Sequence, residues 1–420
     1  MSKWTIQDLD VRGKRVLTRV DFNVPMESKG GQMVITDDTR IKETLPTLDL
    51  LIHKGARTIL AAHLGRPKGK RDAACSLRPV AAKLADLLGC DVNFADDCFG
   101  DKVEQMAKAL PDGGILMLEN VRFHPEEEAK DEAVRMPFAE RLARLADVYV
   151  NDAFGAAHRA HASTVTVAKV IKARSGPCAA GLLMERELKF LGEVFESPAR
   201  PFVVLLGGAK VSDKIKVINR LIDKADALLI GGAMACTFML AHGQKTGKSL
   251  VEPDHKQTAL DAEAKARQRN VQFLLPTDFV VATPVETGKL DSKGRPIFDY
   301  VNLRTLSDDI PDDTQSLDIG PATARRYAEA IHGAKTILWN GPMGMFEDKR
   351  FAAGTEAIAQ AVAAATQAGA RSIIGGGDSV KALNQAGLGS KVTFMSTGGG
   401  ATLEFLEGKE LPGVAALTDK

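Results

Sequence analysis

Three things are missing from this chain. No stretch approaches the ~20 consecutive apolar residues that span a bilayer, and the amino-terminal MSKWTIQDLDVRGKR has no apolar core of signal-peptide length, so a cytoplasmic protein without membrane attachment is expected. The five cysteines, at 75, 90, 98, 178 and 236, include no C-x-x-C pair and are odd in number, which argues against a disulfide framework and for free thiols in a reducing compartment. Charge of one sign is also missing: 55 Lys and Arg stand against 54 Asp and Glu, so no whole-molecule field draws nucleic acid or an anionic membrane. Any anion site must be local. No low-complexity tract or short repeat interrupts the 420 residues, which at roughly 150–200 residues per domain predict two domains.

What the chain does contain is a recurring unit: a short β-branched run, a loop rich in glycine or charge, then a stretch with apolar residues three and four apart. This is βαβ grammar and predicts an α/β protein with two doubly wound, Rossmann-like parallel-sheet domains. The first-half runs are KRVLTRVDFNVP, ARTILAAHLGRP, GGILMLENVRFHP and ADVYVNDAFGAAHRAH; the second-half runs are RPFVVLLGGAKVSDK, ADALLIGGAMA, AKTILWNGPMGMFE, ARSIIGGGDSV and KVTFMSTGGGA. Between the halves, Met184, Leu188, Leu191 and Phe195 mark one helical face before Pro198 and Pro201 end it. The expected division is 1–182, a joining helix at 183–197, and 198–403. VETGKLDSKGRP, 285–296, reads as a surface hairpin.

The loops differ between the halves. Those of the first carry Arg19, Asp21 and Asn23; His63-Leu64-Gly65-Arg66; Asn120 and Arg122; and His158, Arg159 and His161. In an open parallel sheet such loops gather at the carboxyl ends of the strands, where several arginines with planar donor forks suit a small, multiply charged anion. A zinc reading of the histidines lacks any supporting spacing. In the second half, LLGGAKVSDK brings Gly207 and Gly208 to a helix start, with Lys210 and Lys214 four apart on one face of its first turn, either holding phosphate or simply solvated. SIIGGGDSV adds Asp378 and Ser379, as helix cap or as a magnesium site riding on phosphates. MSTGGGA, with Ser396, Thr397, Gly398, Gly399 and Gly400, supplies another glycine-lined helix start, and Glu347 is either a ribose acceptor or a surface acid. GQKTGKS, 243–249, is one residue short of a phosphate loop and follows a helix-like stretch, so it reads as an ordinary turn.

With RVDFNVP, HLGRP, LENVRFH, AHRAH, GGAKVSDK, WNGPMGMFE, GGGDS and STGGGATLEFLEGKELPG in this order, the chain resembles the phosphoglycerate kinase family from end to end. The resemblance implies reversible, magnesium-dependent transfer of a phosphoryl group between 1,3-bisphosphoglycerate and ADP, giving 3-phosphoglycerate and ATP. It assigns phosphoglycerate binding to Asp21, Asn23, Arg40, His63, Leu64, Gly65, Arg66, Arg122 and Arg159, with His158 and His161 in the same basic patch. It assigns the nucleotide to Gly208, Lys210, Lys214, Gly232, Asn340, Glu347, Gly376, Gly377, Asp378 and Ser379, with Asp378 at the magnesium and Glu347 at the ribose. Arg40, Lys210 and Lys214 are the expected catalytic residues. The resemblance further implies a monomer, a cleft between domains that closes by bending at the ends of the joining helix and near Ser396 and Thr397, and a carboxyl-terminal segment, 404–420, that returns to the first domain. Ala233 and Cys236 depart from the family's usual glycine and aromatic residue in the adenine pocket.

Overall fold

The βαβ units fold into parallel sheets because their apolar runs do not alternate: strands covered on both faces need apolar side chains at every position. A computed structural model describes residues 3–291 and 294–420, and its contacts divide the chain into two units, the first ending at Lys189 but also containing Lys409–Lys420, the second running from Phe190 to Gly408.

Besides a short antiparallel pair, Met26–Lys29 with Gln32–Ile35, the first unit has a six-stranded sheet made of β1 (Arg15–Arg19), β2 (Arg57–Ala61), β3 (Val92–Phe94), β4 (Ile115–Met117), β5 (Val148–Asn151) and β6 (Cys178–Ala180). They lie in the order β3-β4-β2-β1-β5-β6, all parallel. Val16, Leu60, Ile115 and Val150 of the sheet pack in one cluster with Ile41, Leu48 and Leu51 of the Thr39–His53 helix, whose apolar spacing keeps them on one face. Residues 409–420 are stitched to the same unit: Gly413 N donates to the Ala157 carbonyl (2.8 Å), Thr418 N to that of Cys178 (2.9 Å), and the buried Lys3 ammonium to that of Leu417 (3.1 Å).

The second unit contains β7 (Phe202–Leu206), β8 (Ala227–Ile230), β9 (Gln272–Leu274), β10 (Phe279–Leu290), β11 (Pro296–Leu306), β12 (Gln315–Ile319), β13 (Thr336–Asn340), β14 (Arg371–Gly375) and β15 (Phe394–Met395). Six form a parallel sheet in the order β9-β8-β7-β13-β14-β15, which within that sheet is the doubly wound order 3-2-1-4-5-6. The remaining three make an antiparallel sheet, β11-β10-β12. Its hairpin is far longer than the 285–296 turn expected from the sequence: its arms pair from Phe279–Leu306 out to Leu290–Pro296, and its outer half is exposed, Leu290, Phe298 and Val301 included. Ser292 and Lys293, in its tip, lie outside the described residues.

The helix expected near 183–197 runs from Leu182 to Glu196 and crosses the division between the units. Met184 and Leu191 are fully buried and Leu188 half-buried, while the Phe195 side chain lies outside the described residues. Its first amides are satisfied remotely, Leu182 N by Thr47 Oγ1 (2.9 Å) and Met184 N by Asp152 Oδ1 (3.1 Å). Leu60 is wholly buried in the first core; Leu60→Ala is expected to lower the stability of that unit by about 2–5 kcal/mol, measured by urea unfolding, and an unchanged midpoint would contradict this packing.

Candidate active site

In the first unit, the loops leaving β1, β2, β4 and β5 bring their polar residues together. Arg19, the last residue of β1, is completely buried, its Nε donating to Ser163 Oγ (2.8 Å) and a terminal nitrogen lying 3.0 Å from His63 Nδ1. A guanidinium only donates, so His63 Nδ1 accepts and the ring keeps its proton on Nε2. Burial, then the charges of Arg19, Arg122, Arg40 and His161, hold the His63 pKa well below its usual range. His161 is pushed down to about 3 by burial and by Arg122, Arg19, Arg159 and His158. Both rings are therefore neutral at pH 7, and His161 adds no positive charge to that of Arg159 in the AHRAH loop. The same interactions place Arg19, Arg40, His63, Arg122, His158, Arg159 and His161 in one cluster.

Several members are oriented by their neighbours. Asp21 accepts from Arg40 (2.8 Å), Asn23 Oδ1 accepts from Gly65 N (2.9 Å), and Arg122 donates to the Gly65 carbonyl (2.9 Å) while its Nε faces Glu128 (3.0 Å). Leu64 is buried beneath this loop; Arg66 and Arg159 are exposed, the latter donating to His158 Nε2 (2.9 Å). Arg40 occupies the first turn of its helix, where the helix dipole disfavours a cation by about 0.3–1 kcal/mol. Sequence reasoning missed Glu127, which is wholly buried and accepts from Ser163 Oγ (2.6 Å) and Ser163 N (2.9 Å), completing the chain from His63 through Arg19 and Ser163. Burial raises its pKa, against the lowering pull of Arg19. The acidic run HPEEEAKDE gave no reason to single out one buried member.

In the second unit, strand order reverses between β7 and β13, and their loops interlock there. Gly207 N donates to the Asn340 carbonyl (3.1 Å), and a Cβ on Gly207 would fall 1.9 Å from the Pro342 carbonyl oxygen. Gly232 N donates to the Met343 carbonyl (2.8 Å). The lysines do not share a helical face as expected. The helix begins only at Ile215, because Gly208 takes φ +127° and the following turn is gripped by Glu252, which accepts from Ser212 N (2.9 Å) and Ser212 Oγ (2.6 Å). Lys210 is thus an exposed loop residue, whereas Lys214 sits at the helix cap and donates to Asn340 Oδ1. Burial lowers the Lys214 pKa to about 8, opposed by the charges of Asp213 and Asp378.

Neither Asp378 nor Ser379 caps its helix, Gly377–Gln385, whose cap is Gly376 in a left-handed conformation. Ser379 is buried and its Oγ accepts from Gly341 N (2.6 Å), tying the loop after β14 to the loop after β13; Asp378 is exposed in the first turn. Ser396 Oγ meets Thr402 Oγ1 (2.6 Å) and accepts from Gly398 N (3.2 Å), and a helix starts at Gly400 with Gly399 as its cap. Thr397 lies between them in the same loop. A cavity of about 240 Å³ opens among these loops, lined by Gly208, Gly232, Ala233, Pro342 to Met345 and Asp378, and by Phe279 and Gln315 to Ile319, which the sequence reading omitted. Glu347 is exposed on the loop beyond Met345 and is not part of this wall; Cys236 is buried in the Met234–Ala241 helix. GQKTGKS is a turn after that helix, with Gly243 at φ +83°.

The chain matches the family model described as phosphoglycerate kinase over residues 6–409. It is 53% identical over 420 residues to the phosphoglycerate kinase of Moorella thermoacetica and 50% identical over 419 residues to that of Chlorobium limicola, covering all of both chains in each case. Among solved structures, the phosphoglycerate kinase from Coxiella burnetii aligns with a TM-score of 0.81 at 39% identity, covering 99% of this chain and 98% of that one. The enzyme from Pyrococcus horikoshii aligns with a TM-score of 0.79 at 33% identity and the same coverage. An arginine cluster at one strand-order reversal and a glycine-lined cavity at another thus coincide with full-length similarity, and the chain belongs to the phosphoglycerate kinase family, phosphotransferases that pass a phosphoryl group between 1,3-bisphosphoglycerate and ADP.

Proposed function

We propose that this chain performs its family's transfer with the acid held by the arginine cluster of the first unit and the nucleotide held at the glycine-lined cavity of the second. The observation that carries this reading is Lys214, half-buried, drawn to Asn340 and acted on by Asp378. A cation so placed, next to glycine loops that let a ligand approach the backbone at helix starts, fits a polyphosphate rather than a neutral ligand. Asp21, Asn23, His63, Gly65, Arg66, Arg122 and Arg159 take the phosphoglycerate, with neutral His63 offering a hydrogen bond and the arginines supplying charge. Gly208, Lys210, Gly232, Asn340, Glu347, Gly376, Gly377 and Ser379 frame the nucleotide.

In the direction of ATP use, the attacking carboxylate is already ionised at neutral pH, so no general base is needed; positioning and charge compensation suffice. Lys214 and Arg40 neutralise the oxygens of the transferring group and Lys210 holds the nucleotide phosphates. Arg40 arrives pre-aimed by Asp21. The exposed carboxylate of Asp378, a hard oxygen donor at a helix start, suits magnesium shared with phosphate oxygens. When bound, that ion offsets phosphate charge. The five free thiols support a reducing, cytoplasmic setting, and we read the chain as a monomer.

Because each ligand belongs to a different unit, in-line transfer requires the two to be brought together, with bending at the ends of the Leu182–Glu196 helix and near Ser396 and Thr397. Lys214→Ala and Arg40→Ala are each expected to lower kcat by about 10²–10³ while circular dichroism stays unchanged; wild-type kcat in both would refute the assignment. Small-angle scattering is expected to give a smaller radius of gyration with 3-phosphoglycerate and a non-hydrolysable ATP analogue together than with neither, and an equal radius would count against closure.

A further inference from the structure

Asp318, next to last in β12, is 3% exposed in the cavity wall, its carboxyl group clamped between two glycines of the segment that follows β13. A Cβ at Gly344 would lie 2.2 Å from Asp318 Oδ1, and one at Gly354 would lie 2.5 Å from the same atom. The approach of Gly354 is bonded: its N donates to Oδ2 (2.6 Å), while Ile319 N donates to Oδ1 (2.9 Å). Around this contact, Met345 N donates to the Leu317 carbonyl (2.7 Å) and Met343 N to Thr355 Oγ1 (3.1 Å). The segment from Gly341 to Gly354 therefore hangs on β12 through one carboxyl and one carbonyl, and Glu347 rides on it.

We infer that Asp318 is a positioning residue for the adenine nucleotide, fixing the Gly341–Gly354 segment so that Met343 to Met345 wall the cavity and Glu347 meets the ribose. This rests on reading the cavity as the nucleotide site. Burial raises the Asp318 carboxyl to about 7; the amides of Gly354 and Ile319 oppose the rise, and the charge of Glu356, on the helix that begins at Ala353, adds to it. Phe279 to Val281 of the neighbouring β10 and Met343 to Met345 offer no ionisable group; Asp378 shares the cavity wall. The acid is thus part protonated at neutral pH, and ionisation strengthens both amide bonds, since charge-assisted hydrogen bonds are about twice as strong as neutral ones. An asparagine presents an NH2 where one of the two amides needs an acceptor.

Asp318→Asn is expected to raise the KM for ADP about tenfold, leaving kcat and the KM for 1,3-bisphosphoglycerate within about twofold, because a bond to the loop acts on ground-state and transition-state binding alike. In a double-mutant cycle with Glu347→Ala, the two effects on the ADP KM are expected to be markedly less than additive. An unchanged KM for ADP, or a loss confined to kcat, overturns the inference. Should the variant not fold, wild-type enzyme titrated calorimetrically with adenosine, which carries no phosphate to titrate, is expected to bind severalfold more tightly at pH 8 than at pH 6; equal or weaker binding at pH 8 overturns it. A wild-type enzyme that forms no ATP would instead remove the underlying reading.

Discussion

In each parallel sheet the first strand ends up beside one added much later in the chain: β1 beside β5, and β7 beside β13. Crossovers of one hand proceed in opposite directions from such a pair and so lie on opposite faces of the sheet, which makes the loops leaving the two strands part and opens a crevice at their carboxyl ends. Everything functional in this protein depends on that constraint. It is why Asp21 and His161, 140 residues apart, belong to one cluster, and why Gly207 and Pro342 are pressed close enough to exclude a side chain. The same geometry delivers two chemistries because the residues at the strand ends differ, arginine in one unit and glycine in the other.

The two crevices solve charge in different ways. In the first, Arg19 is spent on structure: wholly buried, it orders His63 and reaches Glu127 through Ser163. Burial and the neighbouring arginines keep His63 and His161 neutral, so the cluster carries less charge than its nitrogen count suggests. In the second, the loops are tied to one another by their own amides, Gly341 N donating to Ser379 and Ser212 N to Glu252, and the single ammonium of Lys214 is held on Asn340.

The sheets and the loops at their edges were legible in the sequence because local pattern encodes them: unalternating apolar runs make buried parallel strands, and glycine or charge directly after such a run marks the functional edge. What was hidden depends on contacts distant in sequence. The late start of the helix at Ile215 follows from Glu252 holding Ser212 from 40 residues away. Ser379 carries the signature of a cap yet bonds Gly341 instead. The neutrality of His63 and His161 follows from burial, which a loop motif does not display. Gln315–Ile319 escaped notice because its strand joins an antiparallel sheet outside the repeating βαβ pattern, although it too leads through a glycine, Gly320, into a helix.

The central claim is that phosphorus moves directly from an arginine-held acyl phosphate to an amide-held diphosphate, without passing through water. It is tested most directly by mixing the enzyme with ADP, magnesium and 1,3-bisphosphoglycerate labelled at the acyl phosphate. The account predicts that the label appears in the terminal phosphate of ATP in step with 3-phosphoglycerate. Label released as inorganic phosphate, with no ATP formed, would contradict it.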